Sequence, residues 1–335
     1  MNYLEVLRMG QEVKVSIIVI VSDTEKHLEK CLDSLVHQTI KQTEIIVVDD
    51  CSINDPRTIL EKYYTDERVQ FIRLDSKKGP GGARNKGLSL STGTYIGFCD
   101  SDDWLDLNFY ETAVNFMEQE SADVGTCGLV RNYDVELQEK VYKCKYDSLI
   151  PLNGETAFKI MTKQYDYGIH IVPSSVNKIY KREFILQHNL FFLEHVYYED
   201  LLFSFKMMLN AKKVICIPST YYHHYKRIGS IVQSFSQKHI DDFYEVFLQI
   251  RKYLKENHLY ERYQFNYYKF GEQFYNLIIR QMFEYVHNEE ERKSYMRYSF
   301  SRIKELIEFE EYLEYATAEK LRQHIQPHLK STTIY

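Results

Sequence analysis

The sequence predicts an α/β fold, a mostly parallel sheet flanked by helices and followed by an α-helical C-terminal appendage. Three observations carry this. Across residues 13–100, apolar β-branched runs alternate with amphipathic stretches of helical period. Two of those runs end in carboxylates, Val47-Val48 in Asp49-Asp50 and Tyr95-Ile96-Gly97-Phe98 in Asp100, Asp102 and Asp103, and a glycine-rich loop opens a helix between them. From 236 to 330 the chain holds one Gly and one Pro, and its apolar residues recur at helical spacing.

Residues 13–21 read as a strand, and 24–37 as an amphipathic helix with Leu28, Cys31, Leu32 and Leu35 on one face. The next strand is 44–50. Asn54-Asp55-Pro56 supplies an N-cap and a helix-opening proline ahead of 58–64. Residues 69–74 and 94–100 are two more strands, with the helix 81–90 between them. That βαβαβαβ order implies parallel strands joined by right-handed crossovers. From 105 to 230 the pattern is mixed. Residues 105–119, 151–163, 181–188 and 200–209 read as helices, and 123–130, 135–146 and 213–217 as strands. Two stripes mark the C-terminal helices: Ile240, Phe243, Phe247, Ile250 and Leu254, then Tyr263, Tyr267, Phe270, Phe274, Ile278 and Met282.

A chain of 335 residues is long enough for two domains, or for one large domain with an appendage. Its net charge of −6 argues against a nucleic-acid partner, which a basic excess would announce. The six cysteines, at 31, 51, 99, 127, 144 and 216, form no Cys-x-x-Cys pair, so neither a disulfide framework nor a zinc site is expected. Met1-Asn2-Tyr3-Leu4-Glu5-Val6 lacks a basic stretch leading into a long apolar core, so no signal peptide is expected. The early apolar run at 17–21 is far shorter than the ~20 residues of a membrane span. A reducing cytoplasm is the expected compartment.

Ligands of open α/β sheets bind beyond the carboxyl ends of the strands. Asp100, Asp102 and Asp103 repel one another there unless a cation or hydrogen-bond donors lie between them. Mg²⁺ or Mn²⁺ suits that place, since both take oxygen ligands and leave positions open for phosphate. The plainer reading is a solvated acidic turn. Lys78-Gly79-Pro80-Gly81-Gly82-Ala83-Arg84-Asn85-Lys86-Gly87 opens a helix whose N-terminus would attract an anion. It is neither Gly-x-x-x-x-Gly-Lys-Ser/Thr nor Gly-x-Gly-x-x-Gly.

Taken in order, the motifs resemble the family 2 inverting glycosyltransferases of the bacterial polysaccharide and capsule type. They are Val15-Ser16-Ile17-Ile18-Val19, Glu25-Lys26-His27-Leu28-Glu29-Lys30-Cys31-Leu32-Asp33-Ser34-Leu35, Val47-Val48-Asp49-Asp50-Cys51-Ser52, Gly81-Gly82-Ala83-Arg84-Asn85 and Asp100-Ser101-Asp102-Asp103. Asn177-Lys178-Ile179-Tyr180-Lys181 and Tyr198-Glu199-Asp200 resemble that family's acceptor-side motifs. The resemblance covers roughly residues 12–230 and is far more specific as an ordered set than in any one member.

It implies a GT-A, Rossmann-like catalytic domain at 1–235, with a nucleotide half at about 12–104, an acceptor half at about 105–235, and a helical domain at 236–335. It implies a metal-dependent transfer of a hexose or N-acetylhexosamine from a UDP-sugar to a glycan or lipid-linked acceptor in cell-envelope polysaccharide synthesis. Mn²⁺ or Mg²⁺ would be the cofactor. By resemblance, Asp50 and Arg84 contact the nucleotide base, Asp100 the ribose, and Asp102 the metal and diphosphate. Val21, Asp23 and Ser101 join the nucleotide-sugar set. Asp200 would be the general base, with Glu199 as the fallback. Lys226, Arg227 and Ser230 are candidates for the diphosphate, and Asp100 and His224 are further metal candidates. Trp104, Asn177 and Lys178 fall on the acceptor side. Three positions depart from the family pattern around the nucleobase pocket: Ile20 replaces a common Pro, Ser22 an aromatic and Cys51 a Gly.

Each assignment has a structural counterpart. Asp200 opens a helix and would also serve as a cap. Asp50 and Arg84 would also make a structural ion pair, and Trp104 would pack as an ordinary aromatic. The C-terminal stripes suit a core or a dimer seam, and, as the sharper reading, a peripheral contact with the inner face of the membrane. Two other functions stay open at this point. A nucleotidyltransferase is one, against which the acidic Ser22-Asp23-Thr24 counts; a non-catalytic glycan-binding protein on the same fold is the other, against which the retained carboxylates count.

Overall fold

The structure is a computed structural model that describes residues 13–133, 140–164, 168–226 and 234–306. Strand β1 (Val15–Val21) is hydrogen-bonded in parallel to β2 (Thr43–Asp49) on one side and β4 (Tyr95–Asp100) on the other, so that Ile17 lies opposite Ile45 and Gly97. Strand β3 (Val69–Arg73) extends the parallel run beyond β2. Every residue of β2 is buried, and all but one of β1, the apolar character of parallel strands covered on both faces. Helices α1 (Glu25–Val36), α2 (Arg57–Leu60, continued by a 3-10 turn at Glu61–Tyr63) and α3 (Gly79–Leu90) link these strands. The apolar face of α1 read from the sequence is the buried one, with Leu28, Cys31, Leu32 and Leu35 at 0% exposure. Parallel strands end at one edge of the sheet. Val21 therefore lies beside Asp49 and Ile20 beside Asp100, which brings the two carboxylate turns together.

The following stretch supplies β5 (Trp104–Leu105), α4 (Phe109–Glu120), β6 (Val124–Tyr133), β7 (Lys140–Cys144), β8 (Ile150–Asn153), α5 (Gly154–Met161), β9 (Lys178–Lys181), α6 (Arg182–Gln187), α7 (Glu199–Asn210) and β10 (Lys213–Lys226). The sheet runs β3-β2-β1-β4-β9-β6-β10-β5, with β7 on β6 and β8 on β10. The parallel ladders are joined by antiparallel ones: β9 is antiparallel to both β4 and β6, whereas β6 and β10 run parallel.

Four sequence-derived elements are redrawn. The helix expected over 105–119 starts at Phe109, because Trp104 and Leu105 pair with His223 and Tyr222 instead. The helix expected over 151–163 is preceded by a strand, because Ile150 to Asn153 lie along the edge offered by Lys213 to Cys216. Residues 177–181, read as a motif without an element, supply the antiparallel strand β9. The short strand at 213–217 runs on to Lys226, through register shifts between Cys216 and Tyr222 and a positive φ of 86° at Ser219.

The chain divides into two compact units, Met1–Met161 with Tyr165–Arg227, and Thr162–Gln164 with Ile228–Tyr335. The second contains α8 (Gln237–Glu256), α9 (Tyr260–Tyr285) and α10 (Glu289–Leu306). Both apolar stripes are largely buried, from Ile240 at 2% to Met282 at 0% exposure. Phe247 packs its ring against Phe243, Tyr267 and Phe270. Among the described residues, no helix is long and apolar enough to cross a membrane.

Candidate active site

The site is assembled at the shared carboxyl edge of β1, β2 and β4. Asp50 follows β2 and is buried; its Oδ1 accepts the Lys78 N–H at 2.6 Å and its Oδ2 the Gly79 N–H at 2.9 Å. These are amides at the N-terminus of α3, left without partners inside the helix. The anion that this N-terminus attracts is therefore Asp50 itself. Asp49, just before it, pairs with Arg73 at 2.8 Å. Asp23 is held in left-handed conformation, with φ 55°, between Lys77 and the Ile53 N–H. Cys51, where the family has Gly, adopts φ 54°.

Asp50 and Arg84 do not form the ion pair that their places in sequence suggested. Arg84 is buried. It donates from Nη2 to Asp100 Oδ1 at 2.8 Å and from Nη1 to Glu199. Burial opposes its charge, but Asp100, Glu199 and Asp200 outweigh that and hold it firmly protonated. Glu199 and Asp200 open α7, and Tyr198 before them takes φ 61°, turning the chain into the cluster. Burial raises the Glu199 pKa, and Arg84 works against that rise. Asp200 is pushed up to about 7, first by burial and then by Glu199 and Asp100, with Arg84 and Lys178 opposing. Among the described residues, no hydrogen bond to the Asp200 carboxylate is seen. A partly buried carboxylate whose pKa is pushed toward neutrality is equipped to act as a base.

The turn after β4 is organised by the long strand β10. The Tyr222 hydroxyl donates to Asp103 Oδ2 at 2.5 Å and accepts the Asp100 N–H at 3.3 Å, while the Tyr225 N–H donates to Asp103 Oδ1 at 2.8 Å. Asp103 is buried, and its pKa is raised by that burial and by Asp102 and Asp100. Ser101, beside them, is hydrogen-bonded through its hydroxyl to Thr24 of the β1 end. Asp102 is partly exposed. The three carboxylates thus have three environments: Asp100 faces Arg84 and is partly exposed, Asp103 is enclosed by β10, and Asp102 is partly exposed.

Among the described residues, no three of His, Cys, Asp and Glu converge into a metal cage. The donor set still fits a cation of one kind. Mg²⁺ and Mn²⁺ are held by one or two carboxylates plus substrate phosphates, and Asp102 with the second oxygen of Asp100 offers that much. Asp103 does not, since both its oxygens are occupied.

Trp104 lies parallel to His223 at 5.1 Å between ring centroids, and Lys30 Nζ sits 3.0 Å over its ring. His223 in turn meets Asp106 at 3.0 Å. Asn177, at φ 53°, donates to the Cys127 carbonyl at 2.6 Å. Lys178 is 1% exposed, with its ammonium on the carbonyls of Val172 and Ser174 and on Asn177 Oδ1. Both side chains therefore brace the sheet around β9. Val21 is buried at the end of β1, where its carbonyl accepts the Asp50 N–H. His224 is partly exposed near the end of β10. The side chain of Lys226, and Arg227 and Ser230 altogether, lie outside the described residues.

Two participants escaped the sequence reading. Tyr222 carried a signal, standing in the donor-rich run Tyr221-Tyr222-His223-His224-Tyr225, but nothing there told it from its neighbours. Phe192 carried none. Its backbone pairs with the Asn85 side chain and its ring stacks on Phe203 of α7.

Residues 16–187 match the model of the family Glycosyl transferase family 2. EpsH of Bacillus subtilis (strain 168), assigned as a glycosyltransferase, is 30% identical over 256 residues, 75% of this chain and 72% of that protein. The cholesterol galactosyltransferase of Borreliella burgdorferi is 29% identical over 316 residues, 90% of this chain and 87% of that protein. Among solved structures, S. aureus TarS 1–349 in complex with UDP-GlcNAc superposes with a TM-score of 0.60 at 23% identity, covering 86% of this chain and 72% of that one. Sequence and architecture agree, and the chain belongs to glycosyl transferase family 2: it is a glycosyltransferase built on the GT-A fold.

Proposed function

We propose that this enzyme transfers a hexose or N-acetylhexosamine, with inversion, from a UDP-sugar to a glycan or lipid-linked acceptor of cell-envelope polysaccharide. The observation that carries the reading is the cluster at the edge where β1, β2 and β4 end, in which Arg84 ties Asp100 to Glu199 at the start of α7, next to Asp200. In the reaction, the acceptor hydroxyl gives its proton to Asp200 as its oxygen bonds to the anomeric carbon. The bond from that carbon to the β-phosphate oxygen breaks on the opposite face, and its electron pair leaves with UDP. No covalent intermediate is needed. Glu199 is tied to Arg84 beside the base, which opposes the rise that burial gives its pKa.

Asp102 and the free side of Asp100 would hold Mg²⁺ or Mn²⁺. When bound, that cation would neutralise charge on the leaving diphosphate. A UDP donor is supported by the fold shared with TarS, which was solved with UDP-GlcNAc.

The test is UDP release from UDP-glucose, UDP-galactose and UDP-N-acetylglucosamine, with Mn²⁺ and an envelope-glycan extract. Turnover of one donor that requires the extract supports the reading. No turnover of any donor, with metal and extract present, overturns it.

A further inference from the structure

The glycines of the loop at 78–87 are expected, from sequence, to bring backbone close to a bound anion. The geometry gives them another neighbour. A Cβ on Gly81 would stand 1.9 Å from the Leu193 carbonyl oxygen, far inside contact distance, so only glycine lets residue 193 approach α3 this closely. The Lys78 carbonyl accepts the His195 N–H at 2.8 Å, and the Lys78 ammonium meets Glu194 at 3.2 Å. Asn85 completes the seam. Its Nδ2 donates to the Phe192 carbonyl at 2.9 Å and its Oδ1 accepts the Phe192 N–H, also at 2.9 Å. One side-chain amide thus matches both polar groups of one peptide residue, as a neighbouring strand would.

The seam leads straight to the candidate base. Phe192 stacks on Phe203 at 4.1 Å with 9° between the rings, and Phe203 lies on α7 three residues beyond Asp200. Phe98 of β4 meets both rings edge-on, and the Arg84 guanidinium sits 5.4 Å from the Phe192 ring centre. Tyr198, in left-handed conformation, then turns the segment into α7. Asn85 itself touches none of the carboxylates.

We propose that Asn85 is a positioning residue for glycosyl transfer: by clamping the backbone of Phe192 against α3, it fixes the 190–198 segment and, through the Phe192–Phe203 stack, the start of α7 that presents Asp200. This rests on the reading of Asp200 as the base. The groups that set the charge around Asp200 are Glu199 on its own helix, Arg84 on α3, Asp100 on β4, and Lys178 and Tyr180 on β9. Loosening the clamp moves α7, with Glu199, away from Arg84, Asp100, Lys178 and Tyr180 and admits water. The affinity for UDP, whose groups are sought at the ends of β1, β2 and β4, does not depend on the clamp.

The experiment compares Asn85→Ala, Asn85→Asp, Gly81→Ala and Asp200→Asn with the full-length wild type. It measures UDP affinity by calorimetry, and kcat against pH with whichever of the three UDP-sugars the wild type turns over. For Asn85→Ala we expect UDP affinity within about twofold of wild type and kcat lower by about 10- to 100-fold, the scale of a misplaced catalytic group. The midpoint of its kcat–pH curve moves, because the displaced helix changes the burial of Asp200 and its distance from Arg84 and Asp100. Asn85→Asp keeps the acceptor for the Phe192 N–H, so it recovers part of the loss. Gly81→Ala forces the same segment outward without touching Asn85 and shows the same pattern, which keeps the test open if Asn85→Ala does not fold. Wild-type kcat and midpoint in both Asn85→Ala and Gly81→Ala, with Asp200→Asn inactive, overturn the clamp and leave the base standing. An active Asp200→Asn overturns both.

Discussion

Arg84 Nη2 lies 2.8 Å from Asp100 Oδ1, tying α3 to the end of β4, and the other arm of the same guanidinium holds Glu199. One cation thus serves the three carboxylates at 100, 199 and 200, of which Glu199 is buried and Asp100 and Asp200 are partly exposed. Removing one partner of a buried ion pair leaves the other uncompensated, which costs about 3–5 kcal/mol. Arg84→Met should therefore lose stability on that scale in urea unfolding. Arg84 also lowers the Asp200 pKa, so in the surviving enzyme the rise of kcat with pH should move upward. A variant as stable as wild type with an unmoved pH curve would show that the cluster is not electrostatically coupled.

Asp200→Asn should lower kcat by about 10²–10⁴, the usual contribution of positioned proton transfer, with UDP affinity retained. Wild-type activity should rise with pH through about 7, where Asp200 loses its proton. Stability should move the opposite way. The folded pKa is raised from 3.8 to about 7, so the fold prefers the protonated acid. That contribution is fully present below the unfolded pKa and is gone once pH passes the folded one. Across this window the wild type should lose stability relative to Asp200→Asn, measured as the difference in Tm at successive pH values. A constant difference from pH 4 to pH 8 would mean that Asp200 is not perturbed.

The parallel half of the sheet was legible because its strands are buried on both faces and write continuous apolar runs, as in Ile45-Ile46-Val47-Val48. Strands β8 and β9 were not, for local reasons. Strand β9 is four residues long and contains Lys178, whose charge is buried by carbonyls from residues 172 and 174 that no periodicity announces. Strand β8 contains Pro151 and exists because an edge is there to receive it. In the candidate site, Asp50, Arg84, Asp100 and Asp200 were each singled out by motif, but their pairing was not. Arg84 stands 34 residues beyond Asp50 in sequence and 115 before Glu199, yet it bonds the second. Only the fold of the 190–198 segment onto α3 decides that.

Cys51 is in left-handed conformation, at φ 54°, with its thiol donating to the Leu74 carbonyl at 2.8 Å. Such a backbone costs roughly 1–2 kcal/mol for a residue with a Cβ and nothing for glycine, which explains the family's preference there. The lost thiol hydrogen bond and the freer unfolded chain offset part of that gain, so Cys51→Gly should be about as stable as wild type or slightly more so. Cys51→Val, β-branched in the same conformation, should be the least stable of the three. Chemical denaturation gives the order directly, and a valine variant matching the glycine one would contradict the strain.

Asp102→Ala separates a metal ligand from an acidic turn. Asp102 is one of the charges that push up the pKa of buried Asp103, so its removal should relieve repulsion and leave Tm equal or slightly higher. The hydrogen bonds from Tyr222 and Tyr225 to Asp103 should survive, because neither uses Asp102. UDP affinity in Mn²⁺ should fall to the value that the wild type shows in chelator, and chelator should then have no further effect on the variant. Titrating UDP calorimetrically into both proteins, with Mn²⁺ and with EDTA, completes the cycle. If the variant keeps the wild-type difference between Mn²⁺ and EDTA, the cation is held elsewhere. If both proteins bind UDP equally in EDTA and in Mn²⁺, Asp102 has no metal to hold, and its partial exposure beside buried Asp103 reflects solvation alone.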